Sequence, residues 1–306
     1  MTTPALPGFM GTFSEGEPLS QHTYYRIGGP ADYFAVPKSM ADLRCLREFL
    51  STQKMPYFVM GAGSNLLVSD LGFRGLIIKL SRMNIAISVE PSEAGERIRC
   101  GAGVTVSTLL RKAAHEGWDG FAWMSGIPGS IGGVIAMNAG THLGEAKDNV
   151  RSAEIFHLQG TREVETVEGE ALRFEYRKNY FLTPDALITE ATFALKPGNS
   201  VEVKARIDET LRRRKETQPL EFPSCGSVFK NPRESGMRAW EVIDSLRLRG
   251  RQIGAAQISE KHPNFIVNLG DAKASDVRAL IELVQAEARA QLGIEMHEEV
   301  KFIGQI

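Results

Sequence analysis

The sequence predicts an α+β fold divided among more than one packed domain, on three observations. Amphipathic helical patterns and short β-rich runs are mixed along the chain without the steady βαβ period of a doubly wound sheet. The 30 glycines in 306 residues exceed the usual share of roughly 7% and are concentrated rather than spread. The length also exceeds the ~250–300 residues at which a single hydrophobic core stops growing.

Taken in chain order, the turn R-I-G-G-P at 26–30 precedes β-type Tyr33 and Phe34. Leu43, Leu46 and Leu50 then recur at i, i+3 and i+7, which predicts a helix. Tyr57-Phe58-Val59-Met60 reads as a strand that runs into G-A-G-S-N at 61–65, and 75–80 reads as another. Val106, Leu109, Leu110, Ala113 and Ala114 form one helical face that Gly117 should stop. Residues 101–144 carry ten of the glycines, and β-rich runs follow at 152–158 and 186–195. Pro197-Gly198-Asn199-Ser200 breaks the pattern and reads as a linker. Beyond it, helices are expected at 201–216, 238–247 and 275–292, the last capped by Ser275, with a strand at 264–268.

Composition narrows the function classes. A hydrophobic content of 42% and a formal charge of −1 exclude a disordered chain and a polycationic nucleic-acid binder. Cys45, Cys100 and Cys225 lie far apart with no CxxC pair, so neither a disulfide framework nor a zinc site is expected, and no metal is assigned. Met1 to Met10 lacks the basic and apolar regions of a leader, and no run approaches the ~18 apolar residues of a membrane span, so a cytoplasmic chain is expected. The near-zero average hides a basic stretch. Residues 201–270 hold 13 Lys and Arg against nine Asp and Glu, which suits an anionic partner.

Two glycine loops are candidates for that chemistry. G-A-G-S-N follows a strand and can aim backbone amides at an anion, although Leu66 stands where a dinucleotide fingerprint needs its third glycine. G-I-P-G-S-I-G-G at 126–133 combines a fixed Pro128 φ with four glycines, so backbone can lie directly against a ligand or another chain segment.

The motifs Y-R-I-G-G, G-A-G-S-N-L-L-V, G-I-P-G-S-I-G-G, N-A-G, Y-R, G-S-V-F-K-N-P, S-E-K-H-x-N-F-I-V-N and E-V-K-F-I-G occur in that order from about residue 24 to 304. Together they resemble the UDP-N-acetylenolpyruvoylglucosamine reductase family. The resemblance implies a vanillyl-alcohol-oxidase-like FAD-binding fold, with FAD-binding subdomains at 1–82 and 83–200 and an α+β substrate-binding domain at 201–306. It implies FAD as cofactor, NADPH as hydride donor, and reduction of UDP-N-acetylglucosamine enolpyruvate to UDP-N-acetylmuramate for peptidoglycan. A monomer is expected, with neither nucleic acid nor membrane as partner.

Residue by residue, the resemblance assigns FAD contacts to Tyr25, Arg26, Gly61, Ala62, Gly63, Ser64, Asn65, Gly126, Ile127, Pro128, Gly129, Ser130, Gly132 and Gly133. It assigns catalysis to Arg177, Ser227 and Glu299, with Glu298 the alternative if the register slips by one. Tyr176, Lys215, Lys230 and Asn231 match substrate-binding positions. Such a set suits the reaction, because an enolate forms and must be stabilised by fixed charge and then protonated. The short segment between Arg177 and the strand at 186 leaves no room for the tyrosine-bearing loop of one subgroup, so the shorter subgroup is expected. Trp118 and Trp123 are read as packing residues, and Cys100 and Cys225 as small buried hydrophobes. Two competing readings are another oxidoreductase on the same scaffold and a noncatalytic nucleotide-sugar-binding protein. Each should lack members of the Arg177, Ser227 and Glu299 set.

Overall fold

The helix Met40–Gln53 buries Leu43, Leu46, Phe49 and Leu50 on one face, and the Ser39 hydroxyl caps it by accepting the Asp42 amide at 3.2 Å. Val106–Glu116 is capped in the same way by Thr105 and ends on Gly117 at φ 74°, the left-handed residue that closes a helix without steric penalty. The computed structural model describes residues 6–92 and 95–305, so half of the Met1–Met10 stretch read above for a leader lies outside the described residues. It divides into two compact units that interleave along the chain. The first comprises Met1–Glu15, Tyr33–Ala62 and Gly75–Arg212; the second comprises Gly16–Asp32, Gly63–Arg74 and Arg213–Ile306.

The first unit is organised on a five-stranded antiparallel sheet in the order Val164–Glu168, Val150–His157, Ala186–Ala194, Gly95–Gly101, Ile87–Ser92. Helix Val106–Glu116 and the short helix Ile131–Ala136 belong to its core, which gathers Ile98, Leu109, Phe121, Trp123, Ile131, Ile135 and Phe193. The unit also holds most of a four-stranded sheet in the order Thr12–Pro18, Pro30–Val36, Phe73–Lys79, Tyr57–Met60, whose last two strands run parallel. Trp118 and Trp123 are both buried, and the Trp123 indole donates to Asn149 at 2.9 Å. They pack the core, as the sequence predicts.

The second unit packs helices Ala239–Ser245 and Ala274–Leu292 with the three-stranded antiparallel sheet Gln252–Ile253, Ala256–Ile258, Ile266–Asn268. Val242, Ile243, Ile266, Val277, Leu280, Ile281 and Val284 make its core, together with Tyr25 and Leu67 from far earlier in the chain. Leu66–Val68 pairs in parallel with Lys301–Ile303.

Two expectations are corrected. Pro197 to Ser200 is a structured turn: Lys196–Pro197 pairs with Trp118–Asp119, the Gly198 amide donates to Gly117 at 2.8 Å, and helix Ser200–Thr217 follows at once. Proline and glycine there serve a tight crossing rather than a spacer. Ser275 does not cap the last helix, which begins one residue earlier with Lys273 at the cap position. Asp70 takes the capping role, accepting the Ala274 amide at 2.7 Å and the Ser275 amide and hydroxyl at 3.1 Å each. A cap supplied from 204 residues away leaves no local signature.

Candidate active site

The loop Gly126–Gly133 wraps from a 3-10 turn into helix Ile131–Ala136. Gly126 sits at φ 75°, which a residue with a Cβ rarely adopts, and a Cβ on Gly132 would come within 2.9 Å of the Ala102 Cβ. Gly61, at the end of strand Tyr57–Met60, lies so close to Ser130 that an added Cβ would overlap the Ser130 hydroxyl. The two glycine loops therefore meet at Gly61 and Ser130. The Ile131 and Gly132 amides are used internally, donating to Val104 at 2.9 Å and Ala102 at 3.0 Å. Among the described residues the Gly126, Gly129 and Ser130 amides donate to no acceptor of the chain. Partly buried amides left in that state suit an anionic ligand, and the glycines keep side chains out of its way.

Gly63, Ser64 and Asn65 continue into the second unit, where Gly63 accepts the Tyr24 amide at 3.0 Å and the Asn65 side-chain amide donates to the Glu299 carbonyl at 3.0 Å. Tyr25 is fully buried there, with its carbonyl held by Asn268 at 2.9 Å. Arg26 follows at φ 57°.

Arg177 occupies the tip of a hairpin between Phe174–Glu175 and Lys178–Asn179 in the first unit. Its φ of 57° lies in the left-handed region, a conformation that costs a non-glycine residue on the order of 1 kcal/mol and is retained where surroundings enforce it. The guanidinium donates to the Gly140 carbonyl at 2.8 Å and lies 4.8 Å from the Tyr176 ring centroid. Charge and ring are thereby held together at one tip.

Ser227 follows Gly226, at φ 82°, and precedes buried Val228 and Phe229. Asn264 pins this segment from one side, with its carbonyl accepting the Val228 amide at 2.8 Å and its side chain exchanging two bonds of 2.9 Å with Phe229. The 297–299 segment pins the other side through Glu299 N to Val228 O at 2.7 Å and Lys230 N to His297 O at 2.9 Å. Ser227 and Glu299 thus stand on paired backbone. Glu298 instead accepts from Gln285 of the last helix at 2.9 Å.

Two residues before Ser227, burial pushes the Cys225 thiol up to about 12; the Tyr25 hydroxyl partly offsets this, and the Glu299 carboxylate adds to it. Burial likewise raises Tyr25 well above the ordinary phenol value, with Cys225 contributing. These groups stay neutral near pH 7.

In the basic run, Lys215 is exposed and its carbonyl accepts the Lys261 ammonium at 2.7 Å, while Arg214 is drawn inward and burial lowers it to about 10. His262, lowered chiefly by burial with Arg249 and Arg214 adding, belongs to the same cluster. The sequence pointed to the run but not to its half-buried member, since four consecutive cations give no facing signal. Asn231 accepts the Ala239 amide at 3.0 Å, at the start of helix Ala239–Ser245.

Comparison with known proteins decides the family. Residues 218–303 match the model described as UDP-N-acetylenolpyruvoylglucosamine reductase, C-terminal domain, and residues 31–164 match the FAD binding domain model. The chain is 39% identical over 302 residues to the UDP-N-acetylenolpyruvoylglucosamine reductase of Geotalea uraniireducens, covering 99% of this chain and 97% of the relative. The chain belongs to the UDP-N-acetylenolpyruvoylglucosamine reductase family. Another member, from Lachnoclostridium phytofermentans, is 38% identical over 94% of this chain and 92% of its own length. The crystal structure of the family's enzyme from Thermus caldophilus is similar to it with a TM-score of 0.77 at 33% identity, covering 96% of this chain and 99% of that one.

The family fixes the fold class as the α+β, vanillyl-alcohol-oxidase-like FAD-binding fold expected from the motifs, and the chain as a flavin-dependent oxidoreductase. Among the described residues no helix is long and apolar enough to cross a membrane.

Proposed function

We propose that the chain reduces UDP-N-acetylglucosamine enolpyruvate to UDP-N-acetylmuramate, with NADPH as electron source. The pairing of the Ser227 segment with Glu299 carries this reading, because it brings a hydroxyl proton donor and a carboxylate onto adjoining backbone. Gly61, Gly126, Gly129 and Ser130 would hold the FAD pyrophosphate through backbone amides; the motif resemblance assigns FAD contacts to Tyr25, Arg26 and Gly63 to Asn65 as well. Bound FAD would supply the two-electron chemistry between NADPH and the enol ether.

Adding hydride to the β-carbon of an enol ether conjugated to a carboxylate drives negative charge onto the α-carbon and the carboxylate. Arg177, a permanent planar cation fixed by its backbone and by Tyr176, stabilises that charge. Ser227 then delivers a proton to the α-carbon, completing the lactyl ether, and Glu299 assists that transfer. Tyr176, Lys215, Lys230 and Asn231 bind the sugar and diphosphate by charge-assisted hydrogen bonds. The brief connection from Asn179 to strand Ala186–Ala194 supports the shorter subgroup.

The test is direct. The purified protein is reduced with NADPH under anaerobic conditions, and the UDP enolpyruvyl sugar is added. Reoxidation of the flavin on addition of the sugar is expected; a spectrum that stays reduced overturns the assignment.

A further inference from the structure

The motif N-A-G at 138–140 is absorbed by neither the flavin loop nor the catalytic set, yet its asparagine is among the most heavily bonded side chains of the first unit. Asn138 is fully buried and holds φ 42°, the left-handed region that asparagine tolerates better than most residues. Its side-chain amide donates to the Glu145 carboxylate at 2.5 Å and to the Glu175 carbonyl at 2.8 Å, while its oxygen accepts the Lys147 amide at 3.1 Å.

Glu175 is the last strand residue before the Tyr176-Arg177 tip. Two further bonds run beside this one between the same segments: Asn179 donates to the Ala136 carbonyl at 2.6 Å, and Arg177 donates to the Gly140 carbonyl at 2.8 Å. Residues 136, 138 and 140 therefore hold residues 179, 175 and 177, one rung each. Ala136 ends the helix that leaves the glycine loop, so these rungs connect that loop to the hairpin. A two-residue hairpin with a strained tip is not stable by itself.

We propose that Asn138 is a positioning residue that locks the Arg177 hairpin onto the end of the glycine-loop helix and so sets where the arginine charge stands. This rests on the function proposed above. Both side-chain donors and the oxygen are engaged within the protein, which suits a fixed strut rather than a ligand contact. A displacement of the hairpin by an ångström would misalign the guanidinium without emptying the flavin site.

The test uses the FAD-loaded full chain and Asn138→Gly, which tolerates the left-handed backbone and removes the three side-chain bonds. The flavin is reduced with dithionite and reoxidised with the UDP enolpyruvyl sugar at saturation. Reoxidation slowed at least ~10-fold with FAD content unchanged is expected, because misplacement by an ångström costs up to ~10²-fold. Amide exchange at residues 175–179 should accelerate at least ~10-fold, with the glycine loop unaltered. Combined with Arg177→Lys, the loss should be less than the product of the two single losses, since coupled groups are not additive.

Reoxidation within about twofold of wild type, or full additivity, overturns the proposal. Should Asn138→Gly fail to fold, Asn138→Asp, which keeps the shape and removes the donors, is read by the same criteria, and loss of FAD from both variants also overturns it. A wild-type flavin that the sugar cannot reoxidise defeats the proposed function instead, and the exchange measurement still judges the strut.

Discussion

The Glu299 amide donates to the Val228 carbonyl at 2.7 Å, joining two segments separated by seventy-one positions in the sequence. Glu298 turns to Gln285, while Glu299 lies near enough to Cys225 for its charge to act on the thiol. Adjacent glutamates thus have different surroundings.

Ser227→Ala should still allow flavin reduction by NADPH but slow product formation by at least ~10²-fold, the lower range for a lost proton donor. Glu299→Gln should also slow product formation, whereas Glu298→Gln should leave turnover near wild type. Single-turnover reoxidation measures all three, and a fully active Ser227→Ala enzyme removes the serine from proton delivery.

Arg177→Gly should separate stability from activity. Glycine relieves a left-handed strain of about 1–3 kcal/mol, which offsets part of what is lost with the bond to Gly140 and the Tyr176 contact, so Arg177→Gly should be more stable than Arg177→Ala. Arg177→Ala keeps the strain and should unfold at lower urea. Both variants should lose product formation. Equal urea midpoints for Gly and Ala would show that the tip is unstrained.

The buried thiols set an alkaline limit. Burial raises Cys100, like Cys225, to about 12, whereas an unfolded thiol releases its proton near pH ~8.5. Between those values the unfolded chain binds fewer protons, so stability falls as pH rises. Urea midpoints measured from pH 8 to 10, in wild type and in Cys100→Ala/Cys225→Ala, should show a flatter decline in the variant. In the native protein at pH 8, iodoacetamide should label Cys45, which is partly exposed, before the other two.

Asp70→Ala should destabilise the second unit by about 1–2 kcal/mol, the usual cost of a lost helix cap, with Asp70→Asn in between. Unfolding followed by the circular dichroism of the helices checks the order. An unchanged Asp70→Ala midpoint shows that solvent satisfies those amides equally well.

Gly61→Ala should disturb the meeting of the glycine loops, because the new methyl overlaps the Ser130 hydroxyl. Adding Ser130→Gly removes that hydroxyl and should restore FAD uptake measured by flavin fluorescence. Failure of the second change to rescue the first places the fault elsewhere in the loop.

Much of the fold was legible because its signals are local. The spacing of Leu43, Leu46 and Leu50, and the stop at Gly117, are properties of single helices, and the structure has them. The cap from Asp70, the crossing at Pro197 and the inward turn of Arg214 all depend on partners remote in sequence, which periodicity does not encode. The site divides similarly. Glycine density marked loops that hold backbone amides available, but the rungs from Asn138 and Asn179 to opposite segments needed the folded chain.

The interleaved division of the chain bears on how the protein is made. Tyr25, Ile27 and Leu67 belong to a core whose other members come after residue 224, and Leu66–Val68 receives its partner strand only when Lys301–Ile303 has been synthesised. Early segments of the second unit must therefore wait, apolar and unpaired, through most of translation, a delay that exposes them to chaperones and to aggregation. A fragment beginning at Arg213 would lack all three residues and should not be expected to fold as the unit does in the whole chain.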